Sequence, residues 1–170
     1  MGNKLKLKVE GTLLTLEREF DAPQELVFEV HSSAEHLKHW WGPRGWELTY
    51  CTVDFRPGGV WHYCMTCKDE GQGEFFGMES WGKSIYKSID APKEIQHTDY
   101  FSDAEGNIAE NMPPSHNVWE FKPMEGNRTL LISKARYDSE EALRQVLEMG
   151  MEQGIDETLG RLDDYLQTLR

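Results

Sequence analysis

Between Val60 and Cys67, the side chains of Trp61, Tyr63, Met65 and Cys67 alternate with those of His62, Cys64 and Thr66. An extended backbone puts the indole, phenol and thioether groups on one face and the smaller polar groups on the other. Such an aromatic face suits binding: covering it with an apolar guest gains roughly 25 cal/mol per Å² of surface removed from water. The groups that would make or break bonds are less well arranged. Cys64 and Cys67 have the C-x-x-C spacing, but in a strand residues three apart point to opposite faces, so their sulfurs diverge, and no second pair completes a tetrahedral metal site. His31, Glu35 and His39 are four apart, with His36 beside them, and would align on one helical face. Ser32-Ser33 breaks the helix between them, so a solvated polar face is the expectation. Glu79, His62, His97, His116 and Asp99 are scattered through strand patterns and read as surface or hydrogen-bonded residues, without the paired placement acid–base work needs. With no phosphate loop or nucleophile elbow present, no catalytic residue, metal or cofactor is expected.

The elements that must position the aromatic face follow from periodicity. Lys6 to Phe20 alternates and reads as an opening strand. Asp21-Ala22-Pro23 offers a helix cap, and Leu26, Val27, Val30, Leu37, Trp40 and Trp41 recur at helical steps, giving two short helices divided at Ser32-Ser33. Pro43 in Gly42-Pro43-Arg44-Gly45 ends the second. From Trp46 the period is two: strands Trp46 to Phe55 and Val60 to Cys67 flank the turn Arg56-Pro57-Gly58-Gly59, and further strands span Ser84 to Ile89, Glu94 to Phe101, His116 to Phe121 and Thr129 to Arg136. Asn111 to Ser115, with its two prolines, reads as the most mobile loop. Strands joined by such short turns predict an α+β fold with an antiparallel sheet of about six or seven strands.

Ser139 to Leu169 reads as one unbroken amphipathic helix roughly 45 Å long, with Leu143, Val146, Leu147, Met151, Ile155, Leu159, Leu162, Leu166 and Leu169 on one face. Gly150 and Gly154 interrupt that stripe at a cost of roughly 1 kcal/mol each. They either admit a strand or leave room for a guest. The pattern predicts a sheet curled around this helix, with a cavity lined by Trp61, Tyr63, Met65, Tyr86, Trp119, Met151 and Ile155, made spacious by Gly150 and Gly154, and guarded at its mouth by Trp40 and Trp41.

With 170 residues the chain reads as one domain, residues 1–170. A net charge of −12 argues against nucleic acid or an anionic membrane surface as partner. No stretch has the roughly 20 consecutive apolar residues of a membrane span, and Met1 to Lys6 lacks an apolar signal core. Three cysteines without a disulfide framework fit a reducing compartment, so the expected location is cytoplasmic.

Phe20-Asp21-Ala22-Pro23, Trp40-Trp41-Gly42-Pro43, Asp54-Phe55-Arg56-Pro57-Gly58-Gly59, Trp81-Gly82-Lys83 with Ile85-Tyr86, Phe101-Ser102-Asp103 through Gly106-Asn107, and Gly150-Met151-Glu152-Gln153-Gly154 together resemble a known family. It is the bacterial branch of the family homologous to the activator of the ninety-kilodalton heat-shock chaperone's ATPase, within the START/polyketide-cyclase superfamily. The resemblance spans nearly the whole chain and implies a helix-grip fold, with a curved antiparallel sheet holding the C-terminal helix and two short helices closing one end. Superfamily members include lipid carriers, hormone and flavonoid binders and aromatic-ring cyclases. Three functions are therefore open: binding of a small hydrophobic, aromatic or lipid-like molecule, a protein-interaction module related to chaperone-ATPase activators, and a cyclase- or hydrolase-type enzyme. Homodimerisation is compatible with the resemblance.

Overall fold

A computed structural model describes residues 4–169. Eight strands form one antiparallel sheet in the order β1-β2-β8-β7-β6-β5-β4-β3, where β1 is Lys6–Glu10, β2 Leu13–Phe20, β3 Trp46–Val53, β4 Val60–Cys67, β5 Glu79–Asp90, β6 Glu94–Phe101, β7 Ser115–Met124 and β8 Arg128–Arg136. The sheet is thus larger than the six or seven strands expected. Lys6 to Phe20 is not one strand but a hairpin, turning at Gly11-Thr12 and pairing Glu10 with Leu13. Strong alternation on both sides of a two-residue turn conceals the reversal in the sequence.

Two short helices follow β2: α1 at Gln24–Glu29 and α2 at Ala34–Leu37. The cap residue of α1 is Pro23, two residues beyond Asp21, and it makes no side-chain hydrogen bond. Asp21 accepts a 2.7 Å bond from Arg128 Nε. The C-terminal segment is also divided, into α3 at Glu140–Glu148 and α4 at Met151–Thr168. Ser139 caps α3 by accepting from the Ala142 amide. Gly150 ends that helix in the left-handed conformation, φ 85°, which a side chain opposes and glycine adopts freely. The continuous apolar stripe therefore belongs to two helices sharing a corner.

Antiparallel register aligns the inward-facing rows of the sheet. Ser84 on β5 pairs with Asp99 on β6, and Asp99 with Ser115 on β7. The next inward row runs from Tyr86 through His97 and Asn117 to Ala135, and the one beyond it holds Ile95, Trp119 and Ser133. Side chains two apart on a strand share a face, so Phe121-Trp119-Asn117-Ser115 and Leu131-Ser133-Ala135 shrink toward one end of the sheet, the first series also becoming polar.

That gradient divides the apolar interior. One cluster gathers Phe20, Val27, Phe28, Leu37, Trp40, Trp61, Tyr86, Ile95, Phe121, Leu131, Leu162 and Leu166. The other gathers Leu14, Leu16, Ala135, Tyr137, Leu143 and Val146, with Met151 and Ile155 against it.

Candidate functional site

Where the two clusters approach each other, a cavity of about 320 Å³ lies between the sheet and the α3–α4 corner. Its apolar walls come from Trp41, Trp61, Tyr63 and Trp119, with Met151 and Ile155 on the helix side. The rings are interlocked: Trp41 meets Trp61 edge-on at 4.6 Å between centroids, and Trp61 leans on Tyr63 at 4.7 Å. Gly82 lets this arrangement form. It pairs with Tyr63 across β4 and β5, and a Cβ at Gly82 would overlap the Tyr63 ring.

Of the residues anticipated from sequence, Trp40, Trp41, Trp61, Tyr63, Met65, Trp119, Met151 and Ile155 are on the cavity wall, and Tyr86, Gly150 and Gly154 are not. Tyr86 faces inward but lies in the solid part of the interior, edge-on to Phe55 at 5.1 Å. Gly150 serves the helix break, and a Cβ at either Gly150 or Gly154 would meet nothing within 4 Å. Because neither glycine borders the cavity, the hollow does not come from missing side chains on the helix. It comes from the sheet, where Ser84, Ser115, Asn117, Ser133 and Ala135 stand at inward positions. Trp40 is no gatepost either: it is fully buried, its indole N–H donating 3.0 Å to the Val30 carbonyl.

The polar groups of the cavity are the larger surprise. His97 and Asp99, expected to be surface or hydrogen-bonded residues, are hydrogen-bonded at alternate inward positions of β6 and line the cavity with Ser84. Ser84 Oγ donates 2.8 Å to Asp99 Oδ1 and lies 3.3 Å from His97 Nδ1. Tyr63 donates 3.4 Å to the same carboxylate oxygen. With its single proton given to Asp99, Ser84 accepts from His97 Nδ1–H, which leaves His97 Nε2 as a bare acceptor. That nitrogen is buried and unpartnered. Burial pushes the Asp99 carboxyl up to about 6, against the pull of the Ser84 and Tyr63 hydrogen bonds. Burial, with His31 nearby, lowers His97 to about 3, so the ring is neutral at physiological pH.

His31 also overturns its expectation. It is not on a solvated face but buried at the end of α1, donating from Nδ1 to the Val27 carbonyl at 2.7 Å and packing edge-on against Trp40, Trp119 and Phe121. Burial lowers it to about 4. In contrast, His62 bonds the Asp103 carbonyl at an exposed site, His116 faces Asp138, and Glu79 accepts from the Trp81 indole.

Sequence reasoning missed Ser84, Asp99, His97, Asn117 and Tyr137 as cavity residues. The available signal was parity: Ile95 and Phe101 bracket His97 and Asp99 on one face of a single strand. The loop between α2 and β3, which supplies Gly42 and Pro43 to the wall, is held by Arg161 on α4, whose Nη1 donates to the carbonyls of Gly42 at 2.8 Å and Trp46 at 2.9 Å.

A curved antiparallel sheet holding a C-terminal helix over a hollow defines a helix-grip protein. The sequence model of the family described as Activator of Hsp90 ATPase homolog 1-like protein matches residues 21–167, and the chain belongs to that family. Among solved structures, a protein from Arthrobacter aurescens is similar at 30% identity and a TM-score of 0.84, with 97% of this chain and 91% of that one covered. A Mycobacterium smegmatis protein is similar at 30% identity and 0.81, with 95% and 94% covered, and a Silicibacter pomeroyi protein called AHSA1 at 25% and 0.68, with 93% and 99% covered. No curated protein matches the chain. Fold and family support a ligand-binding or interaction module in general. Among the described residues, no helix is long and apolar enough to cross a membrane.

Proposed function

We propose that the protein binds a compact, largely apolar ring compound in the cavity between the sheet and α4. The observation that carries this reading is the contrast within one interior. The aromatic side chains pack on one another along one wall, while small residues on the neighbouring strands leave the space they face, about 320 Å³, unfilled. That is at the small end of the roughly 300–1,000 Å³ of ligand pockets, which favours a compact guest over a long acyl chain. The walls supply apolar area worth roughly 25 cal/mol per Å² on burial, and the polar row across β5, β6 and β7 supplies orientation.

The test is ligand-detected NMR with a set of naphthalene and indole derivatives against the wild type and Ser133→Leu, a substitution that extends an inward side chain into the hollow. Saturation transfer to wild type that disappears in a folded Ser133→Leu protein is the expected result. No transfer to wild type, or transfer that the substitution leaves unchanged, contradicts the reading.

A further inference from the structure

The Asp99 carboxylate lies in the aromatic cavity without a cation. No lysine or arginine lines the space among the described residues, and Asp99 makes no ion pair there. Its side-chain hydrogen bonds from Ser84 and Tyr63 both fall on Oδ1, which leaves Oδ2 as an acceptor. The neighbouring positions add acceptors of the same kind. His97 Nε2 is buried and unpartnered. Asn117, paired with His97 across the strands, spends its amide N–H groups on the Ser115 carbonyl and hydroxyl and keeps its own carbonyl oxygen. One patch of the cavity thus offers a negative charge and further lone pairs, ringed by Trp41, Trp61, Tyr63 and Trp119. Aromatic faces attract cations through their quadrupole, and a desolvated carboxylate that is hydrogen-bonded but has no counter-charge favours an opposite charge strongly.

We propose that the guest of this cavity is a protonated amine on an aromatic or compact apolar body, its ammonium group set against Asp99, His97 and Asn117 and its rings against the tryptophans. This rests on the cavity-binding reading and narrows it to a ligand class. An ammonium group brings three donors to the acceptors of Asp99, His97 and Asn117, while the unpartnered indole N–H donors of Trp41 and Trp61 lie apart on the aromatic wall. A carboxylic acid or phosphate guest would meet the Asp99 charge head-on, and a neutral guest would leave that charge without compensation.

The titratable groups around Asp99 make the proposal measurable. Tyr63 on β4 is raised by burial and by the Asp99 charge, and Tyr137, after β8, is raised to about 12 by the same causes. Cys51 on β3, beyond Tyr63, is raised by burial to about 11. His97 on β6 is lowered to about 3, and His31, at the end of α1, to about 4. From the helix side Met151, Ile155, Thr158 and Leu159 bring no charge. Asp99, at about 6, is therefore the group in the site that changes charge between pH 7.5 and 5.

The experiment is isothermal titration calorimetry of 2-(1-naphthyl)ethylamine and its neutral isostere 2-(1-naphthyl)ethanol. At pH 7.5 the wild type should bind the amine about tenfold or more tightly than the alcohol. At pH 5 that preference should shrink while affinity for the alcohol holds. Asp99→Asn should bind both with similar affinity at either pH. The wild-type ratio and its pH dependence decide the matter even if the variant fails to fold. Equal or tighter binding of the alcohol at pH 7.5, or a preference that does not move with pH, overturns the amine assignment and leaves the cavity reading standing. Binding of neither compound overturns both.

Discussion

The two halves of α4 face the same sheet and meet it differently. Leu162 and Leu166, toward its C-terminal end, are fully enclosed among Phe20, Phe28, Phe121 and Leu131. Met151 and Ile155, in its first turn and a half, face a hollow. The helix is amphipathic throughout, so the difference lies in what the sheet puts opposite it: large apolar residues under the C-terminal half, serines, an asparagine and an aspartate under the N-terminal half. A close-packed interior needs both surfaces to supply volume. Here one surface withholds it over part of its length, and what remains has the volume, walls and polar groups of a binding site.

This contrast breaks most sharply under truncation. Leu162→Ala should destabilise the protein by about 2–5 kcal/mol, the cost of removing a fully enclosed leucine. Ile155→Ala, whose side chain already borders empty space, should cost about 1 kcal/mol. Urea denaturation midpoints of the two variants compare the halves directly, and equal losses would mean that the N-terminal half is as solidly packed as the other.

Acidification sharpens the comparison by acting on the hollow half and its border. His31 and His97 have folded values of about 4 and 3, below the ordinary 6.5. The unfolded chain therefore takes up protons first as pH falls, so the stability tied to these neutral rings is complete above pH 6.5 and lost toward pH 4 and 3. Asp99, at about 6 against an ordinary 3.8, works in the opposite sense: its burial penalty is complete above pH 6 and relieved as pH falls toward 4. Each group contributes about 1.4 kcal/mol per pH unit within its window. Two rings against one carboxyl leave wild type losing stability between pH 6 and 4 at about the slope of a single group. Asp99→Asn should steepen that loss, and urea midpoints at pH 6.5, 5.5 and 4.5 check it.

The glycines give smaller and opposite effects. Gly150→Ala places a side chain at φ 85° and should cost about 1 kcal/mol. Gly154→Ala adds a methyl group inside a helix, where nothing lies within 4 Å, and should stabilise by up to about 1 kcal/mol. Thermal melts separate the two. Smallest of all, Ser133→Leu should change stability by no more than about 0.5 kcal/mol, because its added carbons enter space that is already empty, whereas an enlargement in the filled half would cost about 1–3 kcal/mol.

The sequence made the architecture legible because periodicity carries it. Val60 to Cys67 and Glu94 to Phe101 begin and end as the alternation indicates, and the aromatic side of β4 faces inward as its bulk demands. The break at Gly150 was hidden because an apolar stripe continues in register across a corner: Leu147 and Met151 are four apart whether or not the helix between them is continuous. The polar part of the cavity was hidden for another reason. His97 and Asp99 share a face with Ile95 and Phe101, but as polar residues they dilute its apolar alternation, so parity hints at the inner face without showing what stands beside them. Only pairing with neighbouring strands sets Ser84, Asp99 and Ser115 in one row, and that register is a property of the folded sheet. The glycines drew attention to the helix, while the space originated in serines on the strands.

The claim on which the rest depends is that the interior near Met151 and Ile155 is open to an apolar guest. Crystals pressurised with xenon measure this directly, since xenon enters dry apolar cavities and leaves close-packed interiors unlabelled. A xenon site bounded by Trp61, Trp119 and Ile155 in the wild type, lost in Ser133→Leu, is the predicted result. An interior without xenon, its side chains in contact from the sheet to α4, would contradict the account.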